Sequence, residues 1–316
     1  MVSTRIQRLL VLGTSLGILL LAIGAAPASA SSSPREVMMP PRGAAHGSAR
    51  PSHSSNLTYH GGVGGVGVET GADKVYLVFW GSQWTNNDPS GEAAILTSFF
   101  NHVGGSSWNN SVTQYCEGVA SGTVTCGSSG THATNPTGVL FATWSDSTTA
   151  APAHPTQSQL AAEAIAAAAH FGNTTASKNT QVQYDILTAT GNNASGAGTS
   201  YCAWHSSTPS SYGNIAYTNM PYVTDYGASC GAGFNGMSAT AGITIVNGHE
   251  FAETETDIYP NGGWLDSKGA ENGDKCAWIS GSGTSASQVV HFGSGADYPV
   301  QSLWSNANNG CVISYP

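Results

Sequence analysis

The apolar positions of this chain form runs of two kinds, separated by polar stretches rich in Gly, Ser, Thr and Asn. Residues 74–81 read Lys74-Val75-Tyr76-Leu77-Val78-Phe79-Trp80-Gly81. Unbroken β-branched and aromatic residues ending at Gly predict a buried strand. Residues 139–144, 182–188 and 215–219 predict further strands. Other runs carry a helical period. Between Gly91 and Val103, the residues Ala94, Ile95, Phe99 and His102 fall at near-helical spacing, as in a short amphipathic helix. Ser158 to Phe171 is Ala-rich and stops at Gly172, a second helix with a glycine stop signal. Met237 to Glu255 predicts another long helix, although Ile243-Thr244-Ile245-Val246 at its centre also favours strand. Pro260-Asn261-Gly262-Gly263 then signals a turn. Strands mixed with two longer helices predict an α+β or α/β fold around a mixed sheet.

The first residues have a different character. Arg5 and Arg8 precede an apolar run from Leu9 to Ile23, and Ala28-Ser29-Ala30 supplies small residues for cleavage. That is the pattern of a secretory signal peptide over residues 1–30. The run is short for a membrane span, and no later run reaches that length. Residues 31–58 are rich in Ser, Pro, Ala and His without period, which predicts a flexible linker. The globular domain is then expected over residues 59–316. Only 9% of the residues are charged, but eight Trp and twelve Tyr argue for a packed core. Loss of Arg5 and Arg8 leaves seven basic residues against eighteen acids, a formal charge of −11. This balance argues against nucleic acid or an anionic membrane as partner. Six cysteines in an exported chain predict disulfides and a secreted location. Nearest-neighbour pairing, one of fifteen arrangements, is the expectation: Cys116–Cys126, Cys202–Cys230 and Cys276–Cys311.

Seven of the eighteen carboxylates fall within residues 250–274, directly after His249. Like charges at this density repel unless a positive group sits among them, and a bound cation meets that need. The run opens as His249-Glu250-Phe251-Ala252-Glu253, one substitution from the His-Glu-x-x-His of zinc peptidases. On a helix, His249 and Glu253 are i and i+4 and share a face, and Asp257 continues the stripe if the helix persists. Glu250 lies about 100° around. Two side chains then hold a metal while the adjacent carboxylate, Glu250, acts as general base. Glu271 or Asp274 supplies the third ligand. Glu253 in place of the second His makes the set harder than usual for zinc, and it would also suit calcium or manganese.

Blander readings compete. His249 and the acids also fit a structural hydrogen-bond network or helix caps. His60, His205 and His291 are further candidate ligands, each more ordinary as a non-ligand, with His291 read as a core residue on a strand. His205 ranks first because Cys202 anchors it through a disulfide. Gly227-Ala228-Ser229-Cys230-Gly231 matches the nucleophile-elbow pattern, but Gly231-Ala232-Gly233 starts a helix poorly and the segment reads as a loop. Paired carboxylates for glycoside hydrolysis are a tertiary property that sequence does not reveal. The tryptophans serve the core more readily than a sugar.

Several segments together resemble the plant EXORDIUM, or phosphate-induced, family and its bacterial secreted relatives. They are Tyr59-His60-Gly61-Gly62, the strand ending at Trp80-Gly81, and Tyr201-Cys202-Ala203-Trp204-His205. The most specific is His249-Glu250-Phe251-Ala252-Glu253 with Trp264, Glu271, Asp274 and Cys276. The resemblance covers roughly residues 59–316. It departs after the helix, where Ile258 follows Asp257 in place of the family's Pro. It implies an extracellular or cell-wall protein and strengthens the metal reading. Two functions follow. One is a secreted metal-dependent hydrolase, zinc first, acting on a polypeptide or cell-wall substrate. The other is a non-catalytic extracellular protein with a structural cation.

Overall fold

The strand at residues 74–80 has neighbours on both edges and helices on both faces. The computed structural model describes residues 1, 35–43, 55–293 and 296–316, and Pro34–Pro316 form one compact unit. The segment read as a signal peptide lies, Met1 apart, outside the described residues. Six strands form the main sheet: β1 (Val37–Met39), β2 (Lys74–Trp80), β3 (Leu140–Asp146), β4 (Val182–Thr188), β5 (Ala203–Ser210) and β6 (Gly213–Met220). Their order is β1-β5-β6-β4-β2-β3. β3, β2, β4 and β6 run parallel, while β5 is antiparallel to both of its neighbours. The fold is therefore a mixed α+β fold with a mixed sheet. The expected strands at 74–81, 139–144 and 182–188 appear within two residues, and that at 215–219 grows to Gly213–Met220.

The helices are α1 (Glu92–His102), α2 (Gln157–His170), the single turn α3 (Ala176–Asn179) and α4 (Ala241–Thr256). Alternation along β2 explains the layers. Val75, Leu77 and Phe79 join the core beneath α1 and α4, whereas Tyr76, Val78 and Trp80 face α2. A strand buried on both faces reads as an unbroken apolar run, as this one does. In α2 the side chain of Thr156 accepts from Gln159 N while Gln159 reaches back to Thr156 N, a capping box. Leu160, Ala164, Ala167 and Ala168 form its buried stripe, and Gly172 leaves the helix with φ +73.

Every residue of α4 is buried. Its Ile-Thr-Ile-Val centre is helical because the surroundings demand close approach on several sides, and tertiary packing outranks propensity. A side chain at Gly242 would stand 1.9 Å from the Cys230 carbonyl oxygen. On another face Phe100 meets Phe251 edge-on at 5.3 Å. The hairpin of Gln288–Phe292 and Ala296–Val300 covers a third side, where Thr244 Oγ1 donates to Pro299 O at 2.6 Å. The three disulfides pair as nearest neighbours, Cys116–Cys126, Cys202–Cys230 and Cys276–Cys311. They are at home in an oxidising compartment. No helix among the described residues is long and apolar enough to cross a membrane.

Two expectations are corrected here. Part of the stretch read as a linker, residues 35–43, is built into the fold, because Val37–Met39 pairs with residues 203–205. His291 does lie on a strand, but it is exposed and pairs with Asp297 at 2.8 Å.

One buried acid makes a pH prediction. Asp185 on β4 accepts from Asn247 Nδ2 of α4 at 3.1 Å. Burial raises its pKa to about 7, against the hydrogen bonds from Asn247 and Thr218. Above its unfolded pKa the folded state keeps a proton that the unfolded state has lost. Stability therefore falls as pH rises from about 4 to 7, by roughly 4 kcal/mol at most. Asp185→Asn should flatten that slope, with Asn247 Oδ1 available as an acceptor. Urea denaturation at pH 4.5 and 7 measures it, and an unchanged difference would refute the assignment.

Candidate metal centre

The seven clustered carboxylates occupy four different environments. Helical geometry makes the first division. Glu253 and Glu255 are about 200° apart on α4 and face opposite sides. Glu255 faces Glu69 and Asp73, with Asn109 Nδ2 donating to its Oε1 at 3.0 Å. Burial first, then the coulombic effects of Asp73 and Glu69, hold Glu255 well above the usual carboxylate range. Asp257 does not continue the stripe, because α4 ends at Thr256. Its carboxylate accepts from the amides of Asn261, Gly262 and Gly263 at 2.8, 2.9 and 2.5 Å. This anchors the turn that follows the helix. Asp266 pairs with Lys275 Nζ at 3.3 Å, and that ammonium lies over the Trp304 ring.

The remaining four acids, Glu250, Glu253, Glu271 and Asp274, gather around two imidazoles. His249 Nε2 lies 3.1 Å from Glu253 Oε1 and 3.8 Å from Asp274 Oδ1. His205 Nε2 lies 3.6 Å from Glu253 Oε2 and 3.0 Å from Glu271 Oε2. The two histidines thus meet on opposite oxygens of one carboxylate. One donor atom from each of His249, Glu250 and Glu253 falls within 4.8 Å of the others, and so it does for His205, Glu253 and Glu271. Donor atoms about 2.0–2.1 Å from a tetrahedral ion are roughly 3.3 Å apart, and the four contacts above bracket that value. The structure therefore gathers two triads that share Glu253, His205–Glu253–Glu271 and His249–Glu250–Glu253, with Asp274 beside His249. His60 is exposed, as is His291.

Each element has a reason for its position. His205 sits on β5, where the Cys202–Cys230 disulfide fixes the start of the strand. It supplies the second imidazole that the α4 motif lacks. Glu271 and Asp274 ride on a loop tied down by Cys276–Cys311. At the middle of that loop is Gly273. A side chain there would come within 2.8 Å of His249 Nδ1 and 2.9 Å of Glu253 Oε1. Only glycine lets the loop press this closely on α4. Gln301 Oε1 accepts from His249 Nδ1 at 3.2 Å, while its own amide donates to the carbonyls of Gly273 and Ser302. Gln301 thereby leaves the Nε2 lone pair of His249 facing the cluster, as second-sphere partners of metal-binding histidines do. Neither Gly273 nor Gln301 carries a motif that sequence reading would catch.

The electrostatics agree with an ion at the centre. Among the described residues no Lys or Arg forms a salt bridge with these groups, although Arg35 is near enough to act on His205 and Asp274. Burial pushes His205 down to about 4, against the pull of Glu253. In His249 burial also acts downward, but Glu253, Glu250 and Asp274 carry it up to about 10. Glu250 and Glu271 are held well above the usual carboxylate range by burial first. Glu253 runs the other way: burial raises it, but His249 and His205 bring it below its ordinary value. Protein groups alone balance the charge here only by retaining protons, and a divalent cation would take their place. Several buried atoms also lack a protein hydrogen-bond partner, including both oxygens of Glu250, Glu253 Oε2 and His249 Nε2.

The site is closed. His205, His249, Glu253 and Glu271 are fully buried, and Asp274 alone keeps a side chain 19% exposed. Ser229 offers no alternative nucleophile, since its Oγ donates to the carbonyls of Tyr226 and Gly198 and no helix follows it. No protein-family description, curated protein or solved structure matches the chain.

Proposed function

We propose that this domain is a secreted metal-dependent hydrolase acting on polypeptide or cell-wall substrates, with zinc as its first-choice ion. The observation that carries the reading is the convergence of two buried imidazoles on the two oxygens of Glu253. Histidine and glutamate are donors of catalytic zinc. His249 and Glu253 would hold the ion, with His205 and Glu271 on the other oxygen of Glu253 and Asp274 beside His249. A bound divalent ion makes water a stronger acid and polarises a carbonyl oxygen. Glu250 then accepts the proton of the attacking water and returns it to the leaving group. Its place beside His249 and Glu253 suits that task. The resemblance to EXORDIUM-like proteins supports the secreted location.

Burial favours a second reading, a structural cation in a non-catalytic extracellular protein. Closed sites are the habit of structural metals, and open ones of catalytic metals. Elemental analysis of purified protein, followed by assays against casein and peptide libraries with zinc, calcium or manganese, separates the two. The hydrolase reading expects one divalent ion per chain and hydrolysis that a chelator stops. Bound metal without hydrolysis leaves the structural cation, and absence of metal removes both.

A further inference from the structure

The closure of the metal centre is partly the work of a separate piece of chain. Residues 35–43 run antiparallel along the outer edge of β5, with Val37 opposite His205, Met38 opposite Trp204 and Met39 opposite Ala203. Val37 and Met39 are buried, whereas Met38 is partly exposed. The segment is held mainly through its own backbone. Met39 O accepts from Cys202 N at 2.8 Å, Arg35 O from Ser206 Oγ at 2.8 Å, and Pro40 O from Trp278 Nε1 at 2.6 Å. Arg42 N donates to Ser229 O at 2.8 Å. At the two ends, Arg35 donates to Asn261 and Gly269, and Arg42 lies over the Phe234 ring.

This is how a sheet edge receives an extended peptide. Main-chain bonds supply affinity, and alternate side chains enter the domain. The strand also runs beside the candidate site. Val37 faces a candidate ligand, and the main chain at Met39 is close enough to lower the pKa of Glu250. Arg35 brings positive charge beside the acids. Pairing covers only three residues before Pro40 and Pro41, which lack the amide hydrogens a longer ladder would need. So short a ladder is the least that a competing polypeptide would have to displace.

We propose that the edge of β5 is a groove for an extended polypeptide, with apolar side chains two residues apart and a flanking arginine. Residues 35–43 occupy it as an internal competitor that keeps the metal centre closed. What happens to a polypeptide bound there rests on the hydrolase reading, but the groove itself does not.

The test uses the full chain with a site for a specific protease placed within residues 44–54. A fluorescent synthetic peptide of residues 35–43 is the probe, followed by anisotropy. Before cutting, no saturable binding is expected. After cutting and dialysis the peptide should bind, and a version with Asp at the positions of Val37 and Met39 should bind at least about tenfold more weakly, the equivalent of 1.4 kcal/mol. Chelator should also extract metal faster from the cut protein. An uncut Val37→Asp/Met39→Asp chain that retains native circular dichroism should likewise bind the peptide. Cut protein that never takes up the peptide, or a folded double variant that does not, would overturn the proposal. Peptide binding without any metal would uphold the groove and remove the hydrolase. Hydrolysis by the uncut chain with no peptide binding would do the reverse.

Discussion

On the proposed metal reading, His249→Ala should strip the domain of a divalent ion and abolish the stabilisation that the ion provides. An ion that binds only the folded state, present at a thousand times its Kd, stabilises by about 4 kcal/mol. For a domain of this size that corresponds to roughly 10 °C in melting temperature. The variant has a second cost. Glu253 is kept below its usual pKa by His249 and His205, so losing His249 leaves a buried carboxylate with less compensation. The two effects separate with a chelator. Wild type should lose stability on chelation, whereas His249→Ala should be indifferent to it. Glu253→Ala should behave alike, because both imidazoles converge on that carboxylate. Unchanged metal content in both variants would rule out this site. Metal retained in one of them would redraw the ligand set around Glu271 and Asp274.

Sequence made legible those parts of the fold whose signals are local. The run at residues 74–80 is a strand in any context, and α2 carries its capping box and its glycine stop within seventeen residues. β5 was not foreseen. Its residues 206–210 are Ser, Ser, Thr, Pro and Ser, a composition that forms strand only because β6 pairs with it to the end, while β1 flanks residues 203–205 alone. β1 is three residues long and finds its partner more than 160 positions away, a contact that no period encodes. The candidate site divides in the same way. The i, i+4 spacing placed His249 and Glu253 on one face, and the disulfide argument singled out His205. The acidic run looked uniform because charge is visible in sequence and environment is not. The helix turn sent Glu255 away from Glu253, and a chain reversal turned Asp257 into an anchor for backbone amides. Gly273 and Gln301 act through an absent side chain and a neutral amide, neither of which announces itself.

On the hydrolase reading, Glu250→Gln should nearly abolish hydrolysis while leaving metal content and fold intact. A carboxylate that takes the proton of an attacking water contributes a factor of about 10²–10⁴ in rate. Glutamine preserves its shape but cannot accept that proton. The variant also separates three roles for this residue. As a ligand, which its proximity to His249 and Glu253 permits, Glu250 would take metal away with it when replaced. As a structural acid, it would give up stability, and there the sign is informative. Burial holds Glu250 well above the usual carboxylate range, against the pull of His249 and the backbone at Met39. In the metal-free protein a neutral amide removes the cost of a buried carboxyl that prefers to stay protonated, whereas a bound cation would favour the ionised form that the base role requires. Thermal stability of the chelated protein near neutral pH should therefore hold or rise. The base reading thus expects three results together: turnover lost, metal retained, and a melting temperature after chelation equal to or above that of chelated wild type. The assay belongs on protein whose residues 35–43 have been released as well as on the intact chain, since those residues lie over the carboxylate. Full hydrolysis by Glu250→Gln with metal bound would remove Glu250 from the chemistry, and a parallel loss of metal would make it a ligand.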